Sequence, residues 1–213
     1  MRIAVIGTGT AGRTLGEGLA KVGHDVVVGT RDPARTRARD EWQAISLSLG
    51  SYGEVGTGAE LFVNATNGTA SLEALQAVGE EALAGKVLID ISNALDHSAS
   101  FPPTLFVSNT DSLAEQLQRA FPRTKVVKAF NTMTAAVMVN PGAVGGGDTT
   151  IFVAGNDADA RATVAGVATD LGWTDVMDLG DLTAARGLEM WLPLWLRLLM
   201  ALDGPMFNIK VAR

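Results

Sequence analysis

A glycine-rich segment near the amino terminus has the residue types and spacing of a phosphate-binding turn. It follows an apolar run at residues 3–6, precedes a helical pattern, and matches G-x-G-x-x-G with Gly7, Thr8, Gly9, Thr10, Ala11 and Gly12. In such a turn the first glycine allows the tight bend, the second lets the backbone approach a pyrophosphate, and the third lets the helix pack on the strand. The helix N-terminus adds free N–H groups and the positive end of its dipole. The segment therefore predicts dinucleotide binding, and the alternative is a turn without a ligand.

The end of the second predicted strand indicates which dinucleotide is bound. A site selective for NAD places an Asp or Glu there to accept hydrogen bonds from the ribose hydroxyls. This chain has Thr30 and Arg31 at that position, and Arg35 follows shortly after. A hydroxyl and a planar, permanently charged guanidinium group suit a ribose 2′-phosphate, so the sequence favours NADP over NAD. Asp32 could instead be the ribose acid, but we interpret it as the N-cap of a helix that has Pro33 at its first position.

Uncharged polar residues follow three further predicted strands. They are Thr66, Asn93 and Asn131. Ligands of open α/β sheets lie across the carboxyl ends of the strands, so we expect these three side chains to contact the nicotinamide half of the cofactor. The alternative is that they form turns or cap helices, which is how we interpret the neighbouring Asn67.

Few groups in the sequence could act as a general acid or base. Both histidines, His24 and His97, fall in loops, there is no cysteine, and no spacing matches a metal site or a Ser/His/Asp triad. Reduction of a carbonyl normally uses a proton donor, whereas hydride transfer between two rings needs chiefly stacking and orientation. The sequence therefore favours hydride transfer to a planar ring, with Asn131 and Met133 as candidate catalytic residues. The ring is expected to lie against Asn131, Met133, Trp191, Met206 and Phe207.

Short apolar runs alternate with helical patterns along the chain, which predicts a Rossmann-type, doubly wound α/β fold with a mostly parallel sheet. Strands are predicted at residues 2–6, 25–29, 46–50, 60–65, 86–91, 125–130, 149–154 and 173–178. Helices are predicted at residues 11–22, 33–47, 71–83, 111–121, 157–171 and 183–202, with Asp111, Asp157 and Asp181 at their beginnings. We assign residues 1–180 to an NADP-binding domain and residues 181–213 to a small helical cap or dimer element.

The predicted C-terminal helix is apolar on nearly every side over residues 190–200. A helix of this kind must be buried on more than one side. We expect it to pack on the sheet and on a second copy of the chain, with a kink at Pro193, so that the protein is a homodimer. The alternative is a core helix of a monomer.

The composition of the chain excludes several classes of partner. Its 213 residues are 47% hydrophobic, and 17 basic against 23 acidic residues give a net charge of −6. This charge opposes binding to nucleic acid or to an anionic membrane surface. No segment reaches the roughly 20 apolar residues that a membrane span needs, and the first residues lack a signal peptide. We therefore expect a cytoplasmic protein with neither a nucleic-acid nor a membrane partner.

The combination of motifs resembles the NADP oxidoreductases related to coenzyme F420-dependent (deazaflavin) NADP reductase. The resemblance extends over nearly the whole chain and rests on the glycine turn and on residues 23–31, 128–132, 152–157 and 192–194. It implies a Rossmann domain with a small C-terminal cap, and NADP bound with Thr30 and Arg31 at its 2′-phosphate. It also implies a flat ring stacked on the nicotinamide. That ring is the deazaflavin of coenzyme F420, while a flavin or a quinone-like ring stays open.

Two other functions stay open from the sequence. One is reduction of a small imine or carbonyl compound, as in relatives of pyrroline-carboxylate reductase and hydroxyacid dehydrogenases. Those relatives have a large helical second domain, whereas only residues 181–213 follow Gly180 here. The other is a sensor that binds NADPH without turning it over. Oxidation of NADPH that depends on an acceptor would distinguish an enzyme from a sensor.

Overall fold

Most strands belong to one sheet in the structure, a computed structural model that describes residues 1–98 and 101–213. Its eight strands are β1 (Arg2–Ile6), β2 (Asp25–Thr30), β3 (Ser48–Ser51), β4 (Leu61–Asn64), β5 (Val87–Asp90), β8 (Lys125–Ala129), β9 (Ile151–Gly155) and β10 (Val176–Asp178). A separate hairpin, which the sequence did not predict, pairs β6 (Leu95–Asp96) with β7 (Thr104–Leu105). The predicted α/β fold with a mostly parallel sheet is confirmed.

The order of the strands places a crevice in the middle of the sheet. The order is β10-β9-β8-β5-β4-β1-β2-β3, and every neighbouring pair is parallel except β8 and β9. From β1 the chain builds outward to β2 and β3, and it then returns to build β4, β5 and β8 on the other side. At such a switch point the loops after β1 and β4 diverge, which opens a crevice at their carboxyl ends.

Ten helices of the described residues cover the two faces of the sheet. They are α1 (Thr10–Lys21), α2 (Pro33–Arg37), α3 (Tyr52–Gly56), α4 (Ser71–Val78), α5 (Glu80–Leu83), α6 (Leu113–Ala120), α7 (Ala135–Val139), α8 (Ala158–Asp170), α9 (Ala185–Met190) and α10 (Leu192–Ala201). Residues of α1, α7 and α8 pack on one face of the sheet, and residues of α3, α4 and α6 pack on the other. The strands are buried between the two layers, as a parallel sheet requires.

The acids predicted at helix beginnings have different outcomes. Asp157 caps α8, and Asp181 caps a short 3-10 turn before α9. Asp111 is not a cap, because the Ser112 hydroxyl accepts the hydrogen bond at the start of α6 instead. The carboxylate of Asp111 pairs with Arg119 at 2.7 Å. The helix therefore begins slightly later than predicted.

The helix predicted at residues 33–47 is much shorter. It ends at Arg37, and a 3-10 turn at Asp40–Trp42 follows. Trp42 is completely buried, and the Arg37 guanidinium group donates to the carbonyls of Ile45 and Leu47 at 2.6 Å each. This compact turn satisfies backbone groups that a longer helix would have paired internally.

Two more predicted helices are divided. The helix predicted at residues 71–83 is interrupted at Gly79, whose φ of +101° places it outside the helical region. The C-terminal helix is interrupted at Trp191, because Pro193 has no N–H group to donate to the preceding turn. Trp191 itself keeps helical dihedral angles, with φ −62° and ψ −31°, so the break lies in the hydrogen-bond pattern and the kink expected at Pro193 stays a prediction. No helix of the described residues has both the length and the apolar character needed to cross a membrane.

The C-terminal tail returns to the sheet beside β9. The Thr150 N–H group donates to the Ile209 carbonyl at 2.8 Å, and the Val211 N–H group donates to the Thr150 hydroxyl at 3.1 Å. Because β9 is antiparallel to β8, Thr150 lies at the edge where the parallel strands end. The tail therefore lies near the polar residues that follow those strands. The division of the chain at residue 180 stays a prediction.

The attachment of the tail predicts a loss of stability in acid. The Thr150 hydroxyl donates to Asp175 at 2.6 Å and, with Arg213 and Lys210, outweighs the effect of burial and lowers the pKa of Asp175 to about 2. The carboxylate contributes its full stabilisation above the unfolded pKa of roughly 3.9 and loses it as the pH falls towards 2. We expect Asp175→Asn to destabilise the protein at pH 7 and by only about half as much at pH 3, which lies between the two pKa values. Urea unfolding at both pH values tests this, and an equal loss at both would contradict it.

Candidate functional site

The glycine turn lies against the loop that follows β4. Gly7 has a φ of +124°, and a Cβ atom on it would lie 2.4 Å from the Ala65 carbonyl oxygen. A Cβ atom on Gly12 would lie 2.2 Å from the carbonyl oxygen of Gly7. A Cβ atom on Gly9 would have no neighbour within 4 Å, so its backbone faces open space at the start of α1. The turn therefore has the close packing and the free approach that a pyrophosphate-binding loop needs.

A polar cavity of about 480 Å³ lies between this turn and the end of β2. It is lined by Thr8, Thr30, Arg31, Asp32, Arg35, Thr36, Arg39 and Tyr52. The hydroxyl groups of Thr30 and Thr36 are hydrogen-bonded to each other at 2.8 Å. Three arginines therefore line one cavity, which is a composition suited to the doubly charged 2′-phosphate of NADP.

Arg39 is the one arginine of this cavity that the sequence did not predict. Its guanidinium group donates to the Thr8 hydroxyl at 3.0 Å and pairs with Glu41. Thr8 belongs to the glycine turn, so Arg39 joins that turn to the segment after α2. The only sequence signal was the spacing of Arg35 and Arg39 by four residues.

Asp32 has the structural role that we predicted for it. Its carboxylate accepts a hydrogen bond from the Arg35 N–H group at 2.9 Å, and Pro33 is the first residue of α2. A carboxylate engaged as a helix N-cap is held close to its own backbone. The interpretation of Asp32 as a cap is therefore confirmed.

A second, more apolar cavity of about 300 Å³ adjoins the first. Its lining consists of Gly7, Thr8, Gly9, Arg31, Tyr52, Ala65, Thr66, Asn67, Ala70, Glu73, Ala74 and Ala77. Thr8, Arg31 and Tyr52 line both cavities. Burial raises the pKa of the half-buried Tyr52, so this side chain stays an uncharged phenol at neutral pH. The two cavities together give a charged end and a more apolar end, as an adenosine 2′-phosphate requires.

The polar residues predicted at the nicotinamide end are hydrogen-bonded, but not all to one another. The Asn93 side chain donates to the Asn131 carbonyl at 3.1 Å, and the Asn131 side chain donates to the Asn93 amide oxygen at 2.9 Å and to the Leu188 carbonyl at 2.9 Å. Thr66 donates to the side-chain oxygen of the buried Asn64 at 2.7 Å. Asn67 caps the short turn that follows it, as we interpreted it. Asn93 and Asn131 therefore join β5, β8 and α9.

The residues predicted beside the second substrate lie in different surroundings. Met133 is 5% exposed and its side chain belongs to the hydrophobic core. The Trp191 indole donates to the Thr132 carbonyl at 3.0 Å. Phe207 packs against Trp195, with 5.4 Å between the ring centroids, and Met206 is exposed. Trp191 therefore shares the Asn131 region, whereas Phe207 packs on the following turn of the C-terminal helices.

A buried cluster of charged side chains, which the sequence did not predict, lies in the interior next to Asn93 and Asn131. The Lys128 ammonium group lies 2.8 Å from Asp90 and 2.8 Å from Glu189 and donates to the Ser92 carbonyl at 2.6 Å. Burial alone lowers the pKa of Lys128, but the two carboxylates outweigh it and hold the pKa above its ordinary value. The ammonium group is therefore charged, and it joins β5, β8 and α9 in the interior.

Neither histidine is placed as a catalytic group. His24 lies 3.5 Å from Asp170, between α1 and β2, at the end of the sheet away from the glycine turn. His97 follows β6 and is exposed.

Over residues 1–98 and 101–213, no group of three or more His, Asp or Glu side chains is arranged to bind a metal ion.

The fold and the site together define a class of protein. An open α/β sheet has a glycine turn at its switch point, and a cavity lined by three arginines lies at the end of the neighbouring strand. These are the features of a Rossmann-type protein that binds a phosphorylated dinucleotide.

Comparison with known proteins identifies the family. The model of the family described as NADP oxidoreductase, coenzyme F420-dependent, matches residues 2–94. A crystal structure from Arthrobacter sp. FB24, provisionally assigned as an F420-dependent NADP reductase, is 54% identical, covers 100% of both chains and superposes with a TM-score of 0.97. The chain belongs to this family and is an NADP-dependent oxidoreductase. The predictions of an oxidoreductase and of NADP as its cofactor are confirmed.

Curated relatives differ in how much of their length the chain covers. The F420-dependent NADP reductase of Methanothermobacter marburgensis is 27% identical over 209 residues, which are 93% of this chain and 92% of the relative. Metalloreductase STEAP3 of Rattus norvegicus is 29% identical over 189 residues, which are 88% of this chain but 36% of the relative. The chain therefore spans nearly the whole of the first relative and about a third of the second.

Proposed function

We propose that the protein transfers a hydride between NADP(H) and a planar ring acceptor, the deazaflavin of coenzyme F420 or a flavin. The observation that supports it most is the cavity with Arg31, Arg35 and Arg39 beside the glycine turn. It fits a nucleotide with an extra phosphate on its ribose. The names of the 54% identical structure and of the archaeal relative support coenzyme F420 as the acceptor.

Each group of residues has a separate task in this proposal. Thr30, Arg31, Arg35 and Arg39 bind the 2′-phosphate, and the backbone N–H groups of residues 7–12 bind the pyrophosphate. Thr66, Asn93 and Asn131 orient the nicotinamide half, where bound NADPH supplies the hydride. Their hydrogen bonds to one another and to Asn64 restrict how their side chains can turn. Met133, two residues after Asn131, is buried in the hydrophobic core and anchors that loop there.

The test of this function is oxidation of NADPH by different acceptors. Loss of NADPH absorbance at 340 nm is followed with coenzyme F420, FMN, FAD and a soluble quinone, each at equal concentration. We expect turnover with a ring acceptor and little with a small imine or carbonyl compound. Turnover with the imine or carbonyl compound alone would support the alternative reductase. Tight NADPH binding without any turnover would support a sensor.

Gly9 provides a test of the nucleotide site that leaves the fold intact. A Cβ atom at Gly9 meets no protein atom but enters the space where a pyrophosphate approaches the turn. We expect Gly9→Ala to weaken NADPH binding by about tenfold or more, which is about 1.4 kcal/mol, and to lower the melting temperature only slightly, since Gly9 is the N-cap of α1 and alanine is a poorer cap. Isothermal titration calorimetry and thermal unfolding measure the two effects.

The matched control is Gly166→Ala in the middle of α8. A Cβ atom at Gly166 also has no neighbour within 4 Å, and Gly166 lines neither cavity. This variant should bind NADPH normally and unfold at a slightly higher temperature, because alanine favours a helix by about 1 kcal/mol over glycine. Normal NADPH binding by Gly9→Ala would contradict the proposed position of the pyrophosphate.

We also propose that two copies of the chain associate through the C-terminal helices. Leu194 and Leu202 are 53% and 59% exposed, and Met190, Met200 and Met206 are exposed as well. Burying such a face against a second copy would remove apolar surface from water. Sedimentation velocity should give a dimer for the wild type and a monomer for Leu194→Glu. A monomeric wild type at all concentrations would contradict this.

A further inference from the structure

The charge cluster around Lys128 connects three separate elements inside the protein. Its side chain and those of Asp90 and Glu189 are at most 1% exposed. Glu189 also accepts hydrogen bonds from the Leu113 and Ala114 N–H groups at the start of α6, at 2.8 and 3.1 Å. Glu189 therefore has both the ammonium group and a helix N-terminus as partners, and Asp90 shares the ammonium group.

Each of the three residues assigned to the nicotinamide half is connected to this cluster. Thr66 donates to Asn64, and the Asn64 amide donates to Asp90 at 2.9 Å. Asn93 directly follows Ser92, whose carbonyl accepts from Lys128. The connection from Thr66 starts in the loop after β4 and ends at Asp90. The connection from Asn93 starts in the loop after β5 and ends at the ammonium group of Lys128, which pairs with Asp90.

The third connection runs through the C-terminal helix α9. Asn131 donates to the carbonyl of Leu188, and the next residue, Glu189, contacts Lys128. Lys128 itself lies on β8, three residues before Asn131. The position of Asn131 is therefore fixed both by its own strand and by the helix that Glu189 attaches.

We propose that Lys128 is a positioning residue for hydride transfer: through Asp90, Ser92 and Glu189 it sets the relative positions of Thr66, Asn93 and Asn131. The inference rests on the proposed function, which assigns those three residues to the nicotinamide half. Lys128 touches neither the cofactor nor the acceptor in this account. It acts by holding β5, β8 and α9 in one arrangement.

Energetics favour a positioning role over a purely stabilising one. A buried ion pair is often no more stable than well-packed apolar residues of similar volume, because burying the charges is costly. Its hydrogen bonds are directional, however, so the groups fit together in only one arrangement. Small displacements of groups that orient a reacting ring reduce the rate strongly. The cluster therefore contributes more to geometry than to the free energy of unfolding.

The experiment compares two ligands that occupy different parts of the nucleotide site. NADPH has the nicotinamide half, whereas 2′,5′-ADP has only the adenosine end with its 2′-phosphate. The main variant is Lys128→Met combined with Glu189→Gln, which removes one positive and one negative charge and keeps the net charge of the cluster. Glu189→Gln alone is the second variant, since its side-chain oxygen can still accept from α6.

We expect the double variant to bind NADPH about five- to tenfold more weakly, the loss of roughly one hydrogen bond. Its affinity for 2′,5′-ADP should stay within about twofold of the wild type, since the adenosine end is separate from the cluster. Glu189→Gln alone should show the same selectivity with a smaller change. Calorimetric titration at one salt concentration measures all the constants.

Three results would overturn the inference. In the first, both variants bind NADPH as the wild type does. In the second, both ligands lose affinity equally, which would indicate a structural role alone. In the third, wild-type protein binds NADPH but not 2′,5′-ADP, so the proposed adenosine site is wrong and the inference fails with it. Normal binding of both ligands by the wild type without turnover of any ring acceptor would instead refute only the proposed reaction.

Discussion

Replacing Lys128 with methionine is expected to lower the free energy of unfolding by about 3–5 kcal/mol. The single substitution leaves Asp90 and Glu189 buried without their ammonium partner. An uncompensated buried charge costs much more than the wild-type pair contributes, because the carboxylates have lost water and gained nothing in return. Urea unfolding at pH 7, followed by tryptophan fluorescence, measures the change.

Lys125 offers a matched control on the same strand. It also pairs with a carboxylate, at 2.9 Å from Asp157, but its side chain is 39% exposed. Water replaces the lost partner at such a site, so Lys125→Met should destabilise the protein far less. Adding Glu189→Gln to Lys128→Met should recover part of the loss. Similar losses for the Lys125 and Lys128 variants would contradict the role of burial.

Replacing Arg31 with alanine is expected to weaken NADPH binding by about 1.5–3 kcal/mol, or roughly 10- to 150-fold. The side chain lines both cavities of the nucleotide site. A guanidinium group there would donate charge-assisted hydrogen bonds to the 2′-phosphate. NADH lacks that phosphate, so its weaker affinity should change little. Fluorescence titration with both nucleotides measures the two constants.

Arg123→Ala is the control for a general effect of charge. Arg123 is an exposed arginine that pairs with Glu80 and Glu81 and lines neither nucleotide cavity. It should bind both nucleotides as the wild type does, after the small correction for net charge. Equal losses of NADPH and NADH affinity in Arg31→Ala would place the 2′-phosphate elsewhere.

Each part of the site that the sequence predicted lies within one short segment of the chain, next to a strand. The glycine turn follows β1 directly, and Thr30 and Arg31 lie at the end of β2, so the strand that places each of them could be identified from neighbouring residues. Arg39 could not be found in this way. It reaches Thr8 because the chain leaves α2 in a compact turn, and the Trp42 indole of that turn donates to the Thr8 carbonyl at 3.1 Å, 34 residues away in the chain. Such a contact between distant residues has no signal in the local sequence.

The charge cluster was missed for a related reason. Asp90 and Lys128 face each other in the parallel register of β5 and β8, although they are 38 residues apart in the chain. Taken singly, each is a charged residue at the end of an apolar strand, where exposure is the usual outcome. Their opposite charges at equivalent strand positions were the available signal, and using it required the order of the strands.

The reversal of the sheet at β9 was also not specified by the sequence. The segment between β8 and β9 contains the five-residue helix α7, which rises only about 7.5 Å along its axis. A parallel crossover needs a connection that returns along the full length of a strand. The chain instead enters β9 from the edge where β8 ends. The apolar pattern of a strand is the same in either direction, so it could not distinguish the two.

Tyr52 has a practical consequence because the chain contains a single tyrosine. This residue lies between the two cavities, beside Arg31. Incorporation of 3-fluorotyrosine would therefore give one ¹⁹F resonance, located where the adenosine ribose is proposed to bind. Binding of any nucleotide to this site could then be followed by NMR in unmutated protein, without measuring turnover. The signal would also be independent of the four tryptophans, which dominate the fluorescence of the protein.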